Sequence, residues 1–326
     1  MITKKKLCKK TIDQVASPLA FCHGQEPFYI HGWRENMDKI VLKAPAKINW
    51  TLDILGKRDD GYHYIDTIMQ SIAIYDVIEI KRTRRASINV KTDNENVPDD
   101  KGNIGYRAAE IMVNNFNIDS GLYIYIHKHI PVAAGLGGGS SDGAAIMLGI
   151  KHLFDIDIDL GGIQLLGKSI GADIPFCLQG GIAQAQGIGE RLINLPTINK
   201  SWLIIIKPNI DISTGNIYGL LDIENMINRP NNEKFLKALY RGDMAKASKY
   251  GGNVLEGVTS SIYPQINAII EEVLCAGASY AQMSGSGASI FGAFESRALA
   301  EYAYDKLTDA YSQVFLTHTL NNGPII

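Results

Sequence analysis

A glycine-rich segment lying directly between a strand pattern and a helix pattern constrains this chain most. Leu122-Tyr-Ile-Tyr-Ile-His-Lys-His-Ile130 alternates with a period of two, which predicts a strand ending near Ile130. Pro131, Val132, Ala133, Ala134, Gly135, Leu136, Gly137, Gly138, Gly139, Ser140 and Ser141 follow, and a helix is expected from about Ser141 to Leu153. Glycines let a backbone come close to a polyphosphate. The first-turn amides of a helix are unpaired donors, and its dipole favours negative charge. The segment therefore reads as an anion site, with a serine hydroxyl available to phosphate or to Mg²⁺. A flexible linker is the competing reading, but linkers do not usually abut a strand and a helix directly. The pattern departs from G-x-G-x-x-G, because Ser140 stands where the third glycine would be.

A second segment competes for the same role. Gly162-Ile-Gln-Leu-Leu-Gly-Lys-Ser169 satisfies G-x-x-x-x-G-K-S, and Asp155-Ile-Asp-Ile-Asp-Leu160 before it alternates as a preceding strand would. Its inner positions are the bulky Ile163, Leu165 and Leu166, which with Ile170 follow the spacing of a buried helix face. A loop that wraps its amides around phosphate wants small residues there. No acid ends an apolar strand either, since Leu203-Ile-Ile-Ile206 runs into Lys207. The segment is expected to be a helix that imitates the motif.

The remaining pattern alternates strands and helices. Lys39 to Leu55 is β-rich but broken by Pro45, and a turn is expected at Arg58-Asp-Asp-Gly61. Ile65 to Ile80 is mainly extended, Gly102 to Phe116 helical, and Gly180 to Arg191 a glycine-punctuated hairpin region. Trp202 to Lys207 is a buried strand candidate, and helices are expected at 232–241, 243–251, 262–276 and 296–310. Gln282 to Phe294 reads as a Gly/Ser loop running into a strand. With 326 residues the prior is two domains, and α+β lobes fit better than a simple parallel array.

Charge and cysteine content narrow the function classes. The 32 basic and 34 acidic side chains leave a net charge of −2, with no electrostatic footprint for nucleic acid. Leu203 to Ile206 is the longest aliphatic run, far short of the roughly 20 residues of a membrane span. Cys8, Cys22, Cys177 and Cys275 are scattered, as reduced thiols of a cytoplasmic protein would be. Residues 1–36 carry a net charge of +3 and fit neither a targeting signal nor the fold. Trp33-Arg34-Glu35-Asn36 back-translates to a ribosome-binding pattern just before Met37, so the native start is expected at Met37.

Five ordered motifs over about residues 38–320 carry a family resemblance. Pro131-x-x-x-Gly-Leu-Gly-Gly-Gly-Ser-Ser141 resembles the phosphate-binding motif of the GHMP kinases. Ala44-Pro-Ala-Lys-Ile-Asn49 is similar to the family's first motif, and Met283-Ser-Gly-Ser-Gly-Ala-Ser289 to its third. Gly56-x-Arg-x-Asp-Gly-Tyr-His63 and Gly171-Ala-Asp-Ile-Pro175 point to the branch that phosphorylates the 2-hydroxyl of 4-CDP-2-C-methyl-D-erythritol in the non-mevalonate isoprenoid route. The implied fold has two lobes. Residues 37–194 would form an ATP-binding lobe like the second domain of ribosomal protein S5, and residues 195–326 a ferredoxin-like lobe.

The resemblance also implies roles. Asp173 would be the base, Lys47 its partner in positioning and activating the hydroxyl, and Pro131–Ser141 the ATP site. Mg²⁺ would be held by ATP phosphates, with Ser140 or Ser141 as a further contact. Asn49, Tyr62, His63, Thr214 and Tyr218 would bind substrate, the rings of Tyr62 and Tyr218 flanking the cytosine. Gly285, Ser286 and Gly287 would form the third-motif loop. The chain would be a monomer or homodimer.

Asn253-Val-Leu-Glu256 resembles a family helix start with Val254 in place of aspartate, and no catalytic role is carried onto it. His127 and His129 have metal-like spacing but no completing ligand, so a surface strand face is expected. Val258-Thr-Ser-Ser261 reads as a loop leading into a helix. The alternatives are a mevalonate or homoserine kinase of the same family, and a non-catalytic ligand sensor. Retention of both Lys47 and Asp173 argues against the sensor.

Overall fold

The computed structural model describes residues 38–226 and 229–325; the segment 1–36 discussed above lies outside the described residues. Strands β1 (Lys39–Lys57) and β2 (His63–Thr83) form a long antiparallel hairpin, turning through Arg58–Tyr62. Pro45 does not end β1. The register shifts between Pro45 and Ala46, and such an irregularity accommodates a residue that has no N–H to give.

Further strands extend this sheet around β2. The C-terminal half of β2 pairs with β4 (Gly121–His127), which carries β3 (Ile88–Thr92) parallel on its far side. Its N-terminal half pairs with β5 (Ile182–Gly187), which carries β6 (Arg191–Asn194). Four helices belong to this half: α1 (Ile104–Asn115), α2 (Gly138–Leu153), α3 (Leu160–Lys168) and α4 (Ile174–Gln179). Ile78, Ile80, Ile124 and Ile126 of the sheet share one buried cluster with Ala108 and Met112 of α1 and Ile146 and Ile150 of α2. Helix α2 comes close because of Gly149, where a Cβ would stand 2.5 Å from Ile80.

The chain changes sheet between Asn194 and Trp202. Strands β7 (Trp202–Ile206), β9 (Tyr280–Met283), β10 (Ile290–Phe294) and β11 (Val314–His318) lie in the order β11-β7-β10-β9, all neighbours antiparallel. That is the strand order of a ferredoxin-like unit. Between β7 and β9 come α5 (Thr214–Gly219), α6 (Asn232–Leu239), α7 (Met244–Ser248), the short β8 (Gly252–Asn253), α8 (Val254–Ile262) and α9 (Gln265–Cys275). Helix α10 (Arg297–Thr308) links β10 to β11. The two sheets are joined through fully buried Trp50 of β1, whose ring lies 5.4 Å from Phe291 and 6.3 Å from Tyr280.

Several expectations need amending. Helix α2 begins at Gly138, three residues early, because glycines can enter a first turn as readily as they form a loop. The helix expected at 262–276 is α9, which begins only at Gln265, after Tyr263–Pro264, whereas Val258–Ser261, expected as a loop leading into a helix, lies within α8. Residues 282–294 form a strand, a turn at Ser284–Ser289 and a second strand. The phosphate-loop imitation is helical, as expected: α3 is capped by Asp159, which accepts from Gly162 N, while the alternating stretch before it is not a strand. Lys168 is half-exposed and pairs with Glu190 at 3.1 Å. A surface pair of this kind contributes little, so Lys168→Ala is expected to leave turnover within about twofold. Loss of activity in that variant would restore the rejected motif. No helix among the described residues is long and apolar enough to cross a membrane.

Candidate active site

The glycine segment turns sharply before α2. Gly135 and Gly137 have φ of 72° and 69°, and Gly137 is the left-handed N-cap of the helix. The first intrahelical bond runs from Ser141 N to Gly137 O at 2.9 Å. The amides of Gly138, Gly139 and Ser140 thus precede the helical ladder and are available to an anion. Beneath them lies a buried charge cluster. Lys128 Nζ donates to Asp76 and to Asp142, and Asp76 Oδ1 accepts from His129 N and Ile130 N, fixing where β4 gives way to the loop. Burial pushes the Asp142 carboxyl well above the usual carboxylate range, against the pull of Lys128.

Lys47 lies across this loop. Its backbone N donates to Leu136 O at 2.9 Å, and its side chain passes under Gly137, where a Cβ would stand 2.8 Å from Lys47 Cγ. The buried ammonium ends 3.4 Å from Asp173 Oδ2 and donates to Asn49 Oδ1 at 2.8 Å. Asn49 in turn donates to Thr67 Oγ1 at 2.8 Å, so neighbouring strands hold it. Asp173 lies in the turn that follows α3 and stands at the N-cap of α4. Its carboxylate makes no capping bond, is part-exposed, and faces Lys47.

The third-motif turn packs against the glycine segment. Ser284 Oγ donates to Gly135 O at 3.1 Å, and Ser289 N to Ala134 O at 3.1 Å. Gly285 and Gly287, with φ of 60° and 94°, carry the turn past Asn49; a Cβ on Gly285 would stand 3.5 Å from Asn49 Oδ1. Ser286 and Thr214 share a hydroxyl hydrogen bond of 2.8 Å, which ties the turn to the start of α5. Sequence reasoning missed what stands behind it. Asn253 donates to Met283 O and Gly285 O, and Glu256 accepts from Met283 N at 2.8 Å. The Asn-x-x-Glu helix start was the available signal.

The expected aromatic pair divides. His63 is buried, with its ring 5.2 Å from that of Tyr218 and tilted by 46°. Burial, with help from Lys57, lowers the His63 pKa and favours neutral imidazole. Burial and the nearby charge of Asp173 raise that of the Tyr218 phenol, which also places the ring near the carboxylate. Tyr62 stands apart, 59% exposed.

Among the serines, Ser141 is buried and donates its hydroxyl to Pro45 O at 2.7 Å. Ser140 faces the turn before Asp173: a Cβ on Gly171 would stand 3.6 Å from its hydroxyl. No cluster of three or more His, Cys, Asp or Glu residues suited to a metal occurs among the described residues. His127 lies within 3.7 Å of Glu79 and 3.5 Å of Asp93 on the surface strand face, while His129 falls beyond the end of β4.

Comparison with known proteins identifies the arrangement. Residues 103–181 match the model for the GHMP kinases N terminal domain, and residues 235–313 that for GHMP kinases C terminal. A 4-diphosphocytidyl-2-C-methyl-D-erythritol kinase of Acetivibrio thermocellus is 43% identical over 284 residues, covering 87% of this chain and 100% of the relative. The chain belongs to the GHMP kinase family. A Clostridium botulinum (strain Langeland) protein of the same name is 40% identical over 281 residues, spanning 86% of this GHMP kinase and all of its own length. A crystal structure of 4-(cytidine 5'-diphospho)-2C-methyl-D-erythritol kinase superimposes with a TM-score of 0.75 at 29% identity, over 86% of this chain and 99% of that one. Homoserine kinase from Cytophaga hutchinsonii shares the fold, with a TM-score of 0.70 at 17% identity over 90% and 98% of the two chains. In this GHMP kinase, the amides that precede the α2 ladder lie beside Lys47, whose buried ammonium faces the Asp173 carboxylate.

Proposed function

We propose that this protein transfers the γ-phosphate of ATP to the 2-hydroxyl of 4-CDP-2-C-methyl-D-erythritol, giving ADP and the 2-phosphate in non-mevalonate isoprenoid synthesis. The observation that carries the chemistry is Asp173 Oδ2 at 3.4 Å from the buried Lys47 ammonium, beside the start of α2. Phosphoryl transfer needs positioning, charge stabilisation and a group to receive the hydroxyl proton. Asp173 takes that proton as the new O–P bond forms and the bond to ADP breaks. Lys47 offsets negative charge at the attacking oxygen and stands beside the Asp173 carboxylate. The amides of Gly138–Ser140 receive the nucleotide phosphates. Mg²⁺ would add neutralisation at those phosphates, and Ser140 would be the serine to contact it.

In this reading residues 37–194 form the nucleotide lobe and residues 195–326 the second lobe of a cytoplasmic enzyme, in keeping with the change of sheet after Asn194. The cytidyl group lies at the His63–Tyr218 pair, with Asn49 and Thr214 toward the polyol. Neutral His63 can both donate to and accept from a nucleobase edge. Its buried place beside Tyr218 gives it a larger part than exposed Tyr62.

The aromatic pocket tests the substrate assignment. His63→Ala and Tyr218→Ala are each expected to raise KM for the cytidyl substrate by about tenfold or more, with KM for ATP within about twofold. Tyr62→Ala should have a smaller effect. Unchanged KM for the cytidyl substrate in both larger-effect variants would remove the assignment.

A further inference from the structure

One side of α8 supports the third-motif turn. Asn253, Glu256 and Thr259 recur every third position and so share that side. Asn253 pairs through its backbone with Leu52 of β1, caps α8 by accepting from Leu255 N at 3.0 Å, and donates to Met283 O at 3.0 Å and Gly285 O at 2.7 Å. Glu256 Oε2 accepts from Met283 N at 2.8 Å, and Thr259 Oγ1 donates to Ser286 O at 3.4 Å. The supported turn then reaches Gly135, Asn49 and Thr214, each part of the proposed site.

A carboxylate is a costly way to hold one amide. Glu256 forms no ion pair among the described residues, and burial pushes its pKa up to about 7, the Met283 N–H bond opposing that rise. A glutamine carbonyl would accept from the same N–H without burying a charge. Part-buried carboxyls that lower stability in this way are commonly kept for function. Among the described residues, the groups facing Glu256 supply no cation. They are Tyr280 of β9 and, around a cavity of about 770 Å³ that Glu256 also lines, Asp222, Asn225 and Asn267. The cavity gives solvent protons a route to the carboxyl.

We propose that Glu256 is a positioning residue for phosphoryl transfer, whose ionised carboxylate holds the Met283 amide and so keeps the Gly285–Gly287 turn closed on the glycine segment and Asn49. The proposal rests on the kinase reading above. An ionised acceptor holds an N–H more strongly than a neutral one, so turnover should fall as pH drops below about 7. Stability should move the other way. The folded state keeps the Glu256 proton up to about pH 7, whereas the unfolded chain releases it near the ordinary glutamate value of 4.5. Folding stability from this group is therefore greatest below that window and is lost as pH rises through it.

Turnover of the cytidyl substrate from about pH 5.5 to about pH 8.5, in wild type and Glu256→Gln, tests this together with the NMR shift of the Met283 amide proton in wild type. Wild-type kcat should fall by about tenfold on the acid side, a limb that Glu256→Gln lacks while KM for ATP stays within about twofold. The Met283 amide should titrate near pH 7 in wild type. The proposal is overturned if Glu256→Gln keeps the wild-type limb, or if the amide shift is flat. The amide measurement needs only wild type, so it decides even if the variant does not fold. Absence of wild-type turnover at every pH overturns the kinase reading instead, and the amide titration then decides whether Glu256 holds the turn.

Discussion

Asp173→Asn is expected to lower kcat by about 10²–10⁴-fold, the range for removing a positioned general base. The substitution keeps the shape of the side chain at the N-cap of α4 and removes only its charge and proton affinity. Because the Asp173 carboxylate makes no capping bond, α4 should lose little stability. Lys47 keeps its bond to Asn49 Oδ1, so the anion site and the strand beneath it remain in place. The defect should therefore appear in kcat, with KM for ATP within about twofold of wild type. Steady-state ADP release across a range of ATP concentrations separates the two parameters. Turnover within about tenfold of wild type would remove Asp173 as the base.

Gly135→Ala is expected to destabilise the fold by about 2–4 kcal/mol, through strain and collision together. With φ at 72°, Gly135 occupies the left-handed region, and its added Cβ would stand 2.2 Å from Ser284 O and 2.9 Å from Gly287 O. Both neighbours are backbone atoms of the third-motif turn, so neither can move aside without opening the contact. Gly61→Ala provides the control, since φ there is 88° but nothing lies within 4 Å. That variant should show the backbone strain alone, on the order of 1 kcal/mol. Thermal unfolding of both variants would check the difference. Equal shifts in Tm would mean that the two loops do not press on each other as described.

Local pattern made much of the architecture legible. The strand before the glycine segment, the helix after it, the buried strand at Trp202 and the imitation phosphate loop each depend on residues close in sequence. Short elements were harder. Strands β3 and β11 lie at sheet edges and are defined by partners elsewhere, as Val314–His318 is by Trp202–Ile206. Pro45 was a misleading break, because its cost depends on a register shift that only the pairing with β2 reveals.

The site was legible to different depths. The anion character of Pro131–Ser141 follows from glycine, serine and a helix start alone, whereas the meeting of Lys47 and Asp173 came from family resemblance. Tyr62 and His63 illustrate a limit of local reasoning. They are adjacent, so they point in different directions, and sequence could not decide which one turns inward. Glu256 shows another limit, since its partner at Met283 lies 27 residues away and belongs to a turn whose position depends on both sheets.

The central claim is tested most directly by a coupled ADP-release assay with CDP-methylerythritol, mevalonate and homoserine in parallel. The expected result is a kcat/KM for CDP-methylerythritol at least about 10³-fold above that for either other alcohol, since a site built to pair with a polar group discriminates strongly against substrates lacking it. Comparable or higher kcat/KM for mevalonate or homoserine would contradict the account.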